Sequence, residues 1–220
     1  MPQQSCLFEQ EIQLTKHIKL PYLLHLPLIH PESNGKLPVI LFLHGRDQRG
    51  EDLELLKIRG IPKLVEEQPD FPFIVISPQC PSYYIWPSVF DGILAILDEV
   101  VRTQQADVTR IYLTGLSMGG YAVWDLAMEY PERFAAIAPV CGAGSEERVP
   151  LLRNVPVWAF HGSQDDIVPV NEAEAIIHTL QACGGTAKLT LYPDGGHDAW
   201  TETYSNVELY NWFLEHKTAT

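Results

Sequence analysis

Ser117 sits in the stretch GLSMGG, residues 115–120, between the apolar run RIYLT and a helical pattern. Gly115-Leu116-Ser117-Met118-Gly119 reads G-x-S-x-G. After a strand and at the head of a helix, that pattern is a sharp turn that exposes a serine hydroxyl. Flanking glycines remove Cβ atoms where the turn crowds. The helix also points its N-terminal dipole at any anion that develops beside the hydroxyl. The chemistry on offer is nucleophilic attack by serine, which at neutral pH needs a base within hydrogen-bond reach.

The chain holds 8 histidines. His17, His25 and His30 lie in an N-terminal edge region, and His178 and His216 fall on helical patterns that place them in solvent. His44 and His161 each end an apolar strand in a His-Gly pair, as rings packed under the rim of a sheet. His197 follows the last strand through the loop PDGG, whose glycines let it curl back toward Ser117, so it is the expected base. A third group must orient the imidazole and stabilise its charged form. The stretch FHGSQDDIVP supplies Asp165 and Asp166, which cannot both face the ring. Asp165 is taken as the acid, and Asp166 as a turn cap or solvent-facing carboxylate. Asp194 and Asp198 are too close to His197 in sequence to reach its Nδ1.

A tetrahedral oxyanion would need backbone donors. The N–H of Met118 follows the nucleophile directly. The N–H of Arg46, in the turn FLHGRDQRG, is the expected second. The stretch CPSYYIWP places Tyr83, Tyr84 and Trp86 on the same rim, as walls of a substrate pocket or as cover for the sheet edge. Trp200 is a further candidate to flank the site, whereas Trp124 reads as core.

These residues need a scaffold that brings 117, 165 and 197 to one edge. LPVILFLHG and FPFIVISPQ are continuous apolar runs, as in strands buried on both faces. TRIYLTG, FAAIAPVCGAG, PVWAFHG and AKLTLYPDGG continue the series. Between them lie helical patterns: 51–68, interrupted by Gly60 and Pro62; 88–104, with Ser88 as a plausible N-cap; 117–134; 171–185; and a final helix over 201–216. Strand and helix thus alternate from about residue 39 onward, which predicts an α/β fold: one domain over 1–220, a mostly parallel sheet and helices on both faces. LFEQEIQL and HIKLPYLLHLPL are read as antiparallel edge strands, followed by a turn at Asn34-Gly35. Ligands of such sheets bind beyond the carboxyl ends of the strands, where all three reactive residues fall.

Composition narrows the partners. A formal net charge of −13 and a pI of about 4.9 leave no basic cluster for nucleic acid or an anionic membrane surface. Cys6, Cys80, Cys141 and Cys183 form neither a zinc spacing nor a C-x-x-C pair, so they are read as reduced thiols. The first residues lack a secretory pattern and no apolar run reaches the roughly 18 residues of a membrane span, so a cytoplasmic location is expected. A metal site built on His44, His161 and Asp165 has no helical His pair or Cys cluster behind it, so no metal or cofactor is expected.

FLHGRDQRGEDL, SPQCP, LTGLSMGGYAVWDLA, PERFAAIAPVCG, FHGSQDDIVPV and YPDGGHDAW together resemble the α/β-hydrolase fold. More closely, they are similar to the small, lidless phospholipase/carboxylesterase and dienelactone-hydrolase-like group, over about residues 37–215. In that group His-Gly-x-x-Asp-x-x-Val-Pro carries the acid, which corresponds to Asp165. The resemblance implies ester hydrolysis through an acyl-enzyme. True dienelactone hydrolases use a cysteine nucleophile, from which Ser117 departs. The short stretch 141–155 leaves no room for a substantial lid. The expected activity is therefore a serine carboxylesterase acting on a small-molecule ester. The alternatives are a lysophospholipase or acyl thioesterase, or, in another class, a non-catalytic ligand-binding protein on a hydrolase scaffold.

Overall fold

A computed structural model of the chain describes residue 15, residues 17–27 and residues 35–218. The strands are β1 (Tyr22–His25), β2 (Leu37–Leu43), β3 (Ile74–Pro78), β4 (Ala106–Leu116), β5 (Ala136–Val140), β6 (Val157–Gly162) and β7 (Ala187–Tyr192). The α-helices are α1 (Gly60–Glu67), α2 (Phe90–Thr103), α3 (Met118–Glu129), α4 (Val170–Ala182), α5 (Trp200–Ser205) and α6 (Val207–Leu214). The strands form one 7-stranded sheet in the order β1-β3-β2-β4-β5-β6-β7. β1 runs antiparallel to β3 at one edge, and every other pairing is parallel. The expected edge strand over 7–14 and the tip residue Asn34 lie outside the described residues.

Why the central strands read as unbroken apolar runs is visible in their two faces. On β2, Val39, Leu41 and Leu43 pack into a core with Ile93 and Leu97 of α2, Val123 and Trp124 of α3, and Ile176 and Leu180 of α4. The alternate residues Ile40 and Phe42 join a second core with Ile61 of α1, Tyr204 of α5 and Phe213 of α6. Period-two alternation sends successive side chains to opposite faces, and helices cover both, so neither face needs polar residues. β4 does the same with Leu113 on one side and Tyr112 on the other. The sheet is therefore a rigid bar whose carboxyl edge holds fixed positions for the loops beyond it.

Local expectations need three corrections. The helical pattern over 51–68 is a 3-10 helix, Leu53–Ile58, followed by α1. Pro62 lies inside the first turn of α1, where a missing N–H is tolerated. Helix α2 begins at Phe90, after the 3-10 turn Trp86–Val89 that contains Ser88, and Val89 at its N-cap makes no side-chain cap. The final helix is two helices. Asn206, with ψ at 108°, breaks the ladder, and its side chain accepts from the Glu208 amide to cap α6. Among the described residues, the connection between β5 and β6 carries only the 3-10 turn Val149–Leu152. No helix among them is long and apolar enough to cross a membrane.

Candidate active site

Ser117 stands between the end of β4 and the first residue of α3, with φ 54° and ψ −119°. A non-glycine residue in that region costs about 1–3 kcal/mol and persists only where its surroundings impose it. Here they do. The Ser117 amide donates to the carbonyl of Val140 at the end of β5 (3.0 Å), and its own carbonyl accepts from Tyr121 in the first turn of α3 (3.0 Å). A strand end and a helix start are thus held one residue apart. The serine is left half-buried on the carboxyl edge of the sheet.

The loop after β7 brings His197 to it. Nε2 of His197 lies 2.9 Å from Ser117 Oγ, and Nδ1 lies 2.8 Å from Asp165 Oδ2. Gly162 at the end of β6 lets this loop close: a Cβ there would stand 2.1 Å from the carbonyl oxygen of Gly196. Asp165 is anchored independently of the ring. Its Oδ1 accepts from the amides of Ile167 and Val168, both at 2.9 Å. Burial pushes the Asp165 carboxyl up, but the Val168 amide, His197 and the Ile167 amide together outweigh that and hold it below the usual carboxylate range. An ionised Asp165 accepts from Nδ1–H, which leaves Nε2 bare and facing the Ser117 hydroxyl. The arrangement can take a proton from the serine and stabilise the resulting imidazolium.

The turn after β2 lies against this line. Gly45 packs on Leu116, and Arg46 opens the 3-10 turn Arg46–Gln48. His44 fixes the turn from below. It is fully buried, its Nδ1–H donates to the Gly45 carbonyl (2.6 Å), and its Nε2 accepts the Cys80 amide (2.9 Å). Burial lowers the His44 pKa to about 4, so the ring stays neutral and keeps both roles. Gln48 and Gln79, both buried, tie the rest of the turn: Gln48 donates to Leu55 O, and Gln79 donates to Gln48 O and Asp52 O. The amide of Met118 heads α3 and has no intrahelical acceptor.

Residues 86–214 match the dienelactone hydrolase family. An Escherichia coli protein named for carboxymethylenebutenolidase activity is 31% identical over 186 residues, which cover 76% of this chain and 69% of that protein. The chain belongs to the dienelactone hydrolase family. Membership places it in the class of carboxylic ester hydrolases. A thermostable esterase of known structure superposes with a TM-score of 0.78 at 31% identity, over 91% of this chain and 60% of that one. An acylaminoacyl peptidase of Pyrococcus horikoshii shares the fold alone, with a TM-score of 0.71 at 18% identity, over 92% of this chain and 40% of its own length. The chain thus spans less than two thirds of either structure.

In this dienelactone hydrolase family chain the aromatic residues divide. Trp200 is 8% exposed and sets its ring edge-to-face on His197, with centroids 5.4 Å apart. The Arg59 guanidinium lies 5.5 Å from the Trp200 centroid, and both residues border a cavity of about 180 Å³. Tyr83 and Tyr84 are 99% and 52% exposed, standing free at the rim, and Arg49 of the neighbouring turn donates to the Tyr84 carbonyl. Trp86 departs from the expected pocket wall. It is fully buried, packs against the His44 ring at a tilt of 60° with centroids 4.7 Å apart, and donates its Nε1–H to the His44 carbonyl at 3.0 Å, so it braces the turn and presents no face to a ligand. Trp124 is buried as expected.

Other expected residues fall into place by their hydrogen bonds. Asp166 is exposed. Asp198 accepts from the Thr201 amide and hydroxyl at the start of α5. His216 is not solvated as expected: it is partly buried against Trp212, and its Nε2 has no hydrogen-bond partner among the described residues. His44 is held by backbone groups at both ring nitrogens, whereas His161 bonds the Val168 carbonyl and lies 3.2 Å from Asp165 Oδ2; among the described residues these three do not group as a metal site. Sequence reasoning missed Cys141. It follows β5, is fully buried, has φ 40°, and offers a ligand atom within 4.8 Å of those of Asp165 and His197. Burial pushes its thiol up to about 12, so it stays protonated beneath the site. Only the left-handed backbone at residue 141 marks it, and no residue-type pattern announces that.

Proposed function

We propose that the chain is a serine carboxylesterase working through an acyl-enzyme. The observation that carries this reading is the unbroken line Ser117 Oγ, His197 Nε2, His197 Nδ1, Asp165 Oδ2, with links of 2.9 and 2.8 Å. His197 takes the hydroxyl proton as Ser117 Oγ attacks the ester carbonyl. Asp165 holds the imidazolium. The amides of Met118 and Arg46 donate to the oxyanion, each contributing about 3–4 kcal/mol. The tetrahedral species collapses, and His197 gives its proton to the departing alcohol. Water, deprotonated by the same ring, then attacks the acyl-enzyme, and the acid leaves.

The short β5–β6 connection and the exposed Tyr83 and Tyr84 support an open site for a small-molecule ester with an apolar or aryl portion. The name of the E. coli relative points to a cyclic ester, which the same steps open. Ser117 in place of a cysteine nucleophile favours ordinary esters over a dienelactone. The free thiols of Cys80, Cys141 and Cys183 suit a reducing compartment such as the cytoplasm.

The test is a panel of short- and long-acyl p-nitrophenyl esters, a lactone, an acyl thioester and a lysophospholipid, run on the wild type and Ser117→Ala. Turnover of short esters that disappears in Ser117→Ala is expected, with a fluorophosphonate probe attached to Ser117. A folded protein that the probe does not label overturns the proposal and leaves ligand binding without catalysis.

A further inference from the structure

We propose that His161 is a positioning residue for Asp165: through its single ring N–H it clamps the turn 165–168 and aims the carboxylate at His197. The inference rests on the reading of Ser117, His197 and Asp165 as the reacting line.

His161 lies near the end of β6 and is fully buried. Its Nε2 is 3.0 Å from the Val168 carbonyl oxygen and 3.2 Å from Asp165 Oδ2. A carbonyl can only accept, so the ring proton sits on Nε2. Nδ1 is buried and has no hydrogen-bond partner among the described residues. A buried imidazole with one unpaired nitrogen carries a desolvation cost that an apolar side chain would not incur. What the ring offers in return is concentrated in the one N–H.

That N–H faces the place where the acid needs it. Oδ1 of Asp165 is already fastened by the amides of Ile167 and Val168. Oδ2 bonds His197 Nδ1 at 2.8 Å, and the electropositive His161 N–H approaches the same oxygen from β6. Oδ1 is thus held by two amides, and Oδ2 has the His161 N–H close beside it before His197 bonds to it. Val168 is gripped twice, its N–H on Asp165 Oδ1 and its C=O on His161 Nε2. Without His161, the Oδ1 contacts and the Asp165 amide bond to the Gly162 carbonyl survive, but Val168 loses its side-chain tie to β6 and Oδ2 loses the N–H beside it, so its aim at His197 loosens. Small losses of alignment at such a distance from the reacting bond cost up to about 100-fold in rate.

The experiment compares His161→Leu with His161→Gln, whose amide nitrogen reaches where Nε2 stands. In His161→Leu, kcat on a p-nitrophenyl ester should fall by about 10–100-fold with KM within twofold. The downfield proton resonance of the His197 Nδ1–H to Asp165 bond should broaden or disappear. His161→Gln should restore most of kcat and the resonance. Wild-type kcat and resonance in His161→Leu overturn the proposal, as does a folded His161→Gln no better than His161→Leu. If His161→Leu does not fold, His161→Asn replaces it; its amide falls short of the Nε2 position, so it must show the same losses, and wild-type behaviour overturns the proposal. The resonance is read without substrate. An intact resonance change alongside activity that survives Ser117→Ala would therefore sink the esterase reading and not this one.

Discussion

The Cα of Gly119 is pressed onto the end of β2, so close that a Cβ there would lie 2.0 Å from the carbonyl oxygen of Leu43 and 2.8 Å from that of His44. The obstruction is backbone on a central strand and cannot rotate aside. Gly119→Ala should destabilise the protein at or above the upper end of the roughly 1–3 kcal/mol typical of overpacking. A thermal melt followed by circular dichroism checks it. A melting temperature equal to wild type would show that α3 can slide along the sheet.

Asp165→Asn should keep the fold and lower kcat by about 10³–10⁴-fold, since an amide cannot hold the imidazolium or enforce the tautomer that leaves Nε2 bare. Steady-state kinetics on the best ester of the panel measure this. A loss below tenfold would mean another group holds His197.

The same carboxyl makes stability depend on pH. Its folded pKa lies below the ordinary carboxylate value because its hydrogen bonds outweigh burial. The sign follows from linkage: the contribution is fully present above the unfolded pKa of about 4 and is lost as pH falls through the lower, folded value. Urea melts of wild type and Asp165→Asn should show a wild-type advantage near pH 7 that shrinks in acid. An advantage that grows as pH falls contradicts the assignment.

Burial pushes the thiols of Cys80 and Cys141 up to about 11 and about 12, which leaves almost no thiolate near neutral pH. Iodoacetamide at pH 8 should label neither residue in the folded protein, and activity should survive the treatment. Peptide mapping by mass spectrometry reads the sites. Labelling of Cys141 that tracks loss of activity would transfer the nucleophile from Ser117 to Cys141.

Asn206 both ends α5 and caps α6 through its bond from the Glu208 amide at 3.0 Å. Asn206→Ala should cost about 1 kcal/mol. In a chain of this size that amounts to roughly 2–4 °C in melting temperature. Activity at 25 °C should change little, because Asn206 lies at the far end of α5 from Trp200, which packs on His197. A large loss of kcat would show that the break at 206 is transmitted along α5 to the histidine loop.

Much of this was legible along the chain. The alternating runs and helices announced the sheet because strands covered on both faces must be apolar at every position, as Leu41 and Phe42 show by entering opposite cores. Ser117 was legible because its turn demands glycines at set offsets, and His197 because a glycine-rich loop follows the last strand. The break at Asn206 was hidden: both halves of 201–216 carry helical periodicity, and one residue's backbone angle decides the break. Trp86 was open between pocket wall and cover for the sheet edge because a rim tryptophan can face either way, and its Nε1–H bond to the buried His44 carbonyl decided against the wall.

By itself the sequence determined the order of strands and helices, the sharp turn at 117, and which residue types could attack, relay and hold a proton, since these depend on local periodicity and side-chain chemistry. Only the tertiary structure decided which donors surround Asp165, that His161 reaches it from β6, and that Cys141 lies sealed beneath the site. Those facts depend on distances between segments far apart in the chain, and such distances exist only once the sheet has set its strands side by side.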